Sequence, residues 1–594
     1  MKGPPRRSTA PEVRPRFIHA GVVAAVFLAM PLTEPAFGQA SGLLGPTGAA
    51  LMSPPHAGAG APLPDVQPSP PALEAPAPGA AAPQAPPTPP QTPLDTAPRF
   101  VFLGYRIDGN TVLDDAAIKA VFALYLDRPV SIAELEEIRT NLTHLYIDRG
   151  YVNSGFVIPD QDASSGIVRF LAVEGRVTEV DTLGTDRFNP SYFNDRLERG
   201  LAVPFNINDL EREQQILLQD PLVSRLNLNV QPGLAPGEAK LQADVQEASP
   251  YSLNLQVANN QSPTVGGVRG QAQGTVANLL GRGDVLAVQY GRSQGLNDGS
   301  VSYSLPLASD DTRLNLRYDI NGTLVVSPAL SPLQITSRYN SFAIGLSRPF
   351  YRTPEEALTM GIGLEKRDAQ SFLLGSPFSF TAGSDNGRTN VTALRIFQDW
   401  VDRDAEHALA LRSTFSLGLD AFGATMTDTA PSGKFYSWLG QGQYVRRVYR
   451  DWDLVVRSNL QLANKPLFPI EQFALGGIDT VRGYREYLTV TDDALSATVE
   501  ARIPVGKFPL PGLPGPDDAG TLQFVPFYDY GRGWNVDRPT PYPPDISSVG
   551  AGFRWTAGAG ILMEVYYGKA LRHVDAGTSL QDRGIHFRLT VAAF

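Results

Sequence analysis

The chain has 594 residues, with 56 glycines, 51 prolines, no cysteine and a net charge of −10. Its 50 basic residues are interspersed among 60 acidic ones, so no concentrated basic face is present for nucleic acid. The lack of cysteine excludes disulfides and thiolate metal sites, six scattered histidines leave few ligands for zinc, and the length accommodates several domains of roughly 100 to 200 residues each.

At the N-terminus, Arg6, Arg7, Arg14 and Arg16 precede an apolar run from Ala20 to Met30, followed by small residues at Gly38 and Ala40. This layout predicts a cleavable secretory signal over residues 1–40, because the run falls short of the roughly 20 apolar residues that a membrane-spanning helix needs. No later stretch approaches that length, so membrane embedding has to be by strands. Residues 41–98 contain 17 prolines and three charged residues, Asp65, Glu74 and Asp95. Such a segment buries too little apolar surface to offset its ordering entropy and is predicted to be a flexible, partly polyproline linker, with SGLLGPTGAALM at 41–52 as a candidate short plug helix.

From Arg99 two similar small units follow. In the first, over 99–175, FVFLGYRI (100–107) alternates like a strand, and Asp114 is placed to cap a helix carrying Ile118, Val121 and Phe122. Ser131 and Glu134 form a capping box opening a second helix, whose Ile132, Leu135, Ile138, Leu142 and Leu145 share one face. Strands around GFVIPD and GIVRFLAVEG close the unit. The second unit, over 176–248, runs from the strand VTEVDTLG through a helix at Tyr192 to Leu201. A capped helix at Asn208 and Glu211 follows, carrying Leu210, Leu217 and Leu218, and then the strands RLNLNVQPG and KLQADVQE. Each unit has a helix-on-sheet pattern with a sheet edge on which an extended peptide can add as a strand.

The stretches DRGYVNSGFVIPDQ and FLAVEGRV in the first unit, with VPFNINDLEREQQILLQDPLV and LNVQPG in the second, resemble the tandem POTRA (polypeptide-transport-associated) domains of two-partner secretion transporters, the ShlB/FhaC/HecB haemolysin secretion/activation family.

Residues 249–594 lose helical periodicity. In RLNLRYDI, Leu314, Leu316, Tyr318 and Ile320 share one face, and Arg313, Asn315, Arg317 and Asp319 the other. The same division holds for Leu454, Val456, Leu460 and Leu462 against Asp453, Arg457, Asn459 and Gln461. It recurs for Leu495, Val499 and Ile503 against Ser496, Thr498, Glu500 and Arg502. Many of these segments reach the roughly 9 to 11 residues of a tilted membrane strand. Strands are predicted to begin near 251, 265, 284, 298, 311, 336, 356, 389, 406, 435, 452, 493, 521, 545, 559 and 584, which makes sixteen antiparallel strands of a transmembrane β-barrel. Tight turns at 278–284, 308–311, 401–406 and 448–451 alternate with long excursions at 322–335, 367–388, 418–434 and 464–492, as in outer-membrane barrels. Two features depart from that pattern: the turn FPLPGLPGPDDAG (508–520) is long for a periplasmic one, and the terminal Phe594 is out of phase with Phe587, Leu589 and Val591. A barrel of this size with a polar inner face is expected to enclose water.

The segment LFPIEQFALGGIDTVRGYRE resembles the signature loop of the same family and of the wider superfamily that contains the barrel-assembly protein BamA. That resemblance implies that the excursion 464–492 folds into the barrel with Val481, Arg482, Gly483 and Tyr484 at its tip. An arginine carried into a barrel needs an acidic partner, because an unpaired buried charge is costly. In FVPFYDYGRGW, Leu522, Phe524, Tyr528 and Tyr530 occupy the apolar parity, which turns Phe527, Asp529 and Gly531 to the lumen. These three match the family's Phe-x-Asp-x-Gly motif, whose aspartate pairs with the loop arginine, so Arg482 is expected to tether the loop to Asp529.

Arg282, Gly283 and Asp284 spell an adhesion tripeptide but fall in a tight turn, and His144 is expected on an exposed helix face. No histidine has a companion at metal-ligand spacing and no serine lies in a nucleophile elbow, so no enzyme, cofactor or metal is indicated. The resemblance implies an outer-membrane transporter, its POTRA domains in the periplasm, that captures the N-terminal secretion domain of a large exoprotein and exports it. It also implies contact with outer-membrane lipid and, during biogenesis, with the barrel assembly machinery. An insertase of the same superfamily and a passive porin are the alternatives; the first generally carries more small domains, and the second needs neither them nor a tethered loop.

Overall fold

The computed structural model describes residues 99–428, 431–508, 520–557, 560–574 and 577–594. The expected signal segment (1–40), linker (41–98) and plug helix (41–52) lie outside these residues.

The first unit runs β1 (Phe100–Phe102), β2 (Gly104–Asp108), α1 (Asp115–Phe122), β3 (Arg128–Val130), α2 (Ile132–Ile147), β4 (Gly155–Val157) and β5 (Ile167–Val173). Asp114 accepts from the Ala117 N–H at the head of α1, and Ser131 and Glu134 cap α2 reciprocally. The segment expected as one strand divides at Leu103: β1 pairs antiparallel with β3, whereas β2 runs parallel to β5. Alternation marks an extended segment but is blind to a change of partner along it. Leu135, Ile138, Leu142 and Tyr146 form the buried face of α2, while Ile132, expected on that face, is exposed beside the cap. His144 is exposed.

The second unit consists of β6 (Arg176–Leu183), α3 (Ser191–Leu197), α4 (Ile207–Leu218), β7 (Val223–Pro232) and β8 (Glu238–Glu247). The cap of α4 is Asn206, whose side chain accepts from the Asn208 N–H, so the cap lies two residues before the expected one at Asn208. Leu210, Ile216 and Leu217 are buried and Leu218 is exposed. The unit sits on the barrel rim. Ala277 and Val285 of the barrel join its apolar core, and the Asn189 N–H donates to Gly281 O at 2.8 Å. Arg282–Asp284 thus belong to a turn facing this unit.

The remaining strands close a barrel. They are β9 (Tyr251–Ala258), β10 (Arg269–Ala277), β11 (Val285–Arg292), β12 (Leu296–Pro306), β13 (Arg313–Leu324), β14 (Thr336–Arg352) and β15 (Glu356–Leu373). After the two-residue β16 (Ser376–Pro377) come β17 (Arg388–Arg403), β18 (His407–Leu419), β19 (Tyr436–Tyr449) and β20 (Trp452–Ala463). A small hairpin, β21 (Phe473–Leu475) with β22 (Thr489–Thr491), lies off the wall, which resumes with β23 (Asp493–Phe508), β24 (Gly520–Trp534), β25 (Asp545–Ala557), β26 (Ile561–Ala570) and β27 (Ile585–Ala592). With β16 set aside as a flap on β15, the wall has sixteen antiparallel strands, and β27 returns to β9 from Arg588↔Ala258 to Ala592↔Asn254. Phe508 pairs with Gly520, so the long turn between them joins adjacent strands and leaves the count intact. Phe594 lies past the end of β27, where its carbonyl accepts from the Leu253 N–H.

Along β13 the division of faces is complete: Tyr318 and Ile320 are exposed outward, while Arg313, Asn315, Arg317 and Asp319 are buried inward. Val288, Phe342, Phe415, Val499 and Phe553 continue the outer apolar surface. The inner face is more crowded than a simple water-filled lumen. Arg269 with Asp298 across β11, Arg317 with Asp319 along β13, and Arg412 with Asp399 between β18 and β17 are buried ion pairs on the wall, because inward-facing charges there lie close enough to satisfy one another. Among the described residues no helix is long and apolar enough to cross a membrane.

Candidate functional site

Residues 464–492 leave the end of β20, turn through Pro469–Glu471, form the β21–β22 hairpin stem and return to β23. Arg482 at the tip is 2 % exposed and Asp529 on β24 is fully buried. Arg482 Nε donates to Asp529 Oδ2 at 2.8 Å and Nη2 to Oδ1 at 2.9 Å, a two-pronged contact that a planar guanidinium makes with a carboxylate. The Arg482 backbone N–H adds a third bond to Oδ2 at 2.9 Å, so Asp529 holds the main chain of the tip as well as the side chain.

A second acid completes the seat. Glu500 on β23 accepts from Arg482 Nη1 at 2.9 Å, and is shared with Arg457 and Arg502 at 3.2 and 3.1 Å. The guanidinium carbon lies 3.6 Å from the centre of the Phe527 ring and 4.9 Å from that of Tyr566, so two aromatic faces cover the cation where carboxylates do not. Arg482 is thereby bonded and desolvated together, the condition under which a buried charge is tolerated.

The other motif residues fit around this pair. Val481 packs with Phe473, Leu475, Leu439 and Ala494. A Cβ at Gly531 would come within 2.8 Å of Val481 Cγ2, so the wall needs a residue without a side chain where the loop presses on it. Gly483 has φ of 90°, a conformation L side chains rarely adopt, and its N–H donates to His586 Nε2 on β27 at 3.1 Å. The Tyr484 hydroxyl donates to Ser547 O at 2.9 Å and accepts from the Arg572 N–H at 3.1 Å. Asp479 reaches Arg588 at 3.0 Å, and the Glu486 N–H donates to Gln581 at 2.9 Å.

All seven residues singled out in the sequence therefore meet at one place. Glu500 and Tyr566 were not singled out. Glu500 lies on the polar parity of its strand, but only the register Glu500↔Phe527 reveals that it borders the same seat as Asp529. Tyr566 is inward on β26, and no spacing in the chain relates it to position 482.

A closed barrel with a rim-mounted α+β region and a loop locked inside by buried ion pairs defines a class, the outer-membrane β-barrel transporters with periplasmic POTRA domains. Residues 237–555 match the family model of haemolysin secretion/activation protein ShlB/FhaC/HecB, and residues 100–175 match the ShlB-type POTRA domain. The chain belongs to this family, whose members are transporters rather than enzymes, and it exports a partner exoprotein by two-partner secretion. It is 24% identical over 491 residues to the outer membrane transporter CdiB of Escherichia coli O6:K15:H31 (strain 536 / UPEC), covering 80% of this chain and 78% of that one. To the heme/hemopexin transporter protein HuxB of Haemophilus influenzae (strain ATCC 51907 / DSM 11121 / KW20 / Rd) it is 21% identical over 496 residues, covering 78% and 82%. The solved structure of CdiB from Escherichia coli shares the fold, with a TM-score of 0.63 and 21% identity over 85% of this chain and 92% of that one.

Proposed function

We propose that the loop 464–492 is held in the lumen by the Arg482–Asp529 tether, with Val481, Gly483 and Tyr484 shaping the tip and Phe527 and Gly531 shaping its seat. In this reading residues 99–175 and 176–248 are tandem POTRA domains that receive the N-terminal secretion domain of the client, their sheet edges offering strand addition. The client then passes through the barrel, residues 249–594, in extended form. Residues 1–40 direct export of the chain itself, and 41–98 link that signal to the first POTRA domain. Outer-membrane lipid covers the apolar outer face, and the barrel assembly machinery inserts the chain.

The observation that carries this reading is the burial of Arg482 against two wall carboxylates, at 2.8 and 2.9 Å, by a segment that could otherwise lie in solvent. The topological likeness of the second unit to the first supports the tandem assignment. In each, a central strand pairs parallel with the unit's sheet-opening strand and antiparallel with another, under two helices. Deleting residues 100–248 tests the division of labour. The barrel is expected to assemble, as judged by heat-modifiable migration, with no client reaching the cell surface. Undiminished export by the deleted form would refute it.

A further inference from the structure

The in-folded segment meets the wall at a second place. Glu471 is buried, and both its carboxylate oxygens accept from Arg395 Nη2, at 2.9 and 3.0 Å. The same carboxylate lies 3.1 Å from Arg367 Nη1, which also donates to the Ile470 carbonyl at 2.7 Å. Glu365 closes the group by accepting from Arg367 Nε at 2.9 Å and Arg395 Nε at 2.6 Å. Two guanidinium groups and two carboxylates balance in charge, so removing any one of the four leaves a buried charge uncompensated. Three of them stand on the neighbouring strands β15 and β17; the fourth belongs to the loop. Beside it, Leu467, Phe468 and Ile470 pack against Ala369, Val391, Ala393 and Phe435.

We infer that Glu471 is a second anchor, and that the segment is a strap fastened at both ends across part of the lumen. Its fastenings lie on different stretches of wall, β15 and β17 at the stem and β23 and β24 at the tip, with β18, β19 and β20 between them. Their polarity is opposite. At the tip the loop brings the base and the wall the acids; at the stem the loop brings the acid and the wall the bases. A strap docked the wrong way round would set Arg482 against Arg367 and Arg395, and Glu471 against Asp529 and Glu500, so the charge pattern admits one orientation. Glu471 is thus a positioning residue for transport: it keeps the stem against β15 and β17, and its release opens the lumen on that side while the tip stays seated.

The proposal rests on reading the tip as a tether, and the test separates the two. E471Q and E471D are purified as full-length protein, checked for the heat-modifiable barrel, and measured for conductance in planar lipid bilayers and for client export in cells. E471Q is expected to keep the barrel, raise mean conductance several-fold and change export, with E471D returning both toward wild type. Wild-type conductance and export in E471Q would overturn the second anchor. So would loss of the barrel in E471Q, which would make the cluster part of the wall's own stability. Failure of the tether reading would instead show as normal export by Arg482 variants.

Discussion

Reversing the charge at the tip and then at its seat gives a quantitative test of the site. In the wild type Arg482 faces Asp529 and Glu500, each bonded at 2.8 to 2.9 Å. With charge centres taken about 4 Å apart and an effective dielectric near 20, each pair is worth about 4 kcal/mol before desolvation. Arg482→Asp turns both attractions into repulsions and also forfeits the stacking on Phe527, so the docked loop should be lost. Adding Asp529→Arg restores one attraction but leaves the new aspartate against Glu500, where attraction and repulsion roughly cancel. The exchange is therefore expected to recover about half of the electrostatic loss rather than all of it. The assay is client export normalised to the amount of heat-modifiable barrel: near zero for R482D, intermediate for R482D/D529R, and higher again when Glu500→Gln is added. Full recovery in the double variant would remove Glu500 from the seat. No effect of R482D at normal barrel levels would refute the tether.

Gly531→Ala should impair export because its methyl group meets Val481, and Val481→Ala in the same chain should restore it; equal defects in the single and double variants would count against that contact. At the junction of the second unit with the barrel, Arg196 donates to Asp311 at 2.7 Å and Arg352 to the same carboxylate at 3.0 Å. Burial pushes Asp311 up, but these two guanidinium groups, together with that of Arg313, outweigh it and hold its pKa below the ordinary 3.8. Its contribution to docking is thus fully present above about pH 4 and is lost as the pH falls through the lowered value. Limited proteolysis between the unit and the barrel should stay constant from neutral pH down to that range and rise below it, and Asp311→Asn should raise it at neutral pH.

The barrel was legible because its physics is periodic. A strand between hydrocarbon and a polar interior must alternate, as Leu314 to Ile320 do against Arg313 to Asp319, and fifteen of the strand starts fall within about three residues of their expected positions, the exception being β10 at Arg269 rather than 265. Helix starts were legible where a capping box marked them, as at Ser131, and misplaced where two asparagines two residues apart compete for the role, as at Asn206 and Asn208. The seat of Arg482 was half visible: strand phase turns Asp529 inward, but Glu500 and Tyr566 join it only through the closure of the wall. Glu471 was invisible as an anchor, since Arg395 lies 76 residues away and a loop without period gives no phase to reason from. The filled inner face was missed for a related reason, because alternation reports polarity without reporting which inward groups lie within reach of one another.

Gly483 bonds to His586 and Tyr484 to residues 547 and 572, which places half of the tip's seat in the last hairpins of the chain. A nascent barrel that still lacks its final two strands has no finished berth for residues translated about a hundred positions earlier. Completing the tip's berth and sealing the cylinder are consequently one event, and a chain truncated before β26 would keep Asp529 and Glu500 for Arg482 but present an open wall and no His586 for Gly483.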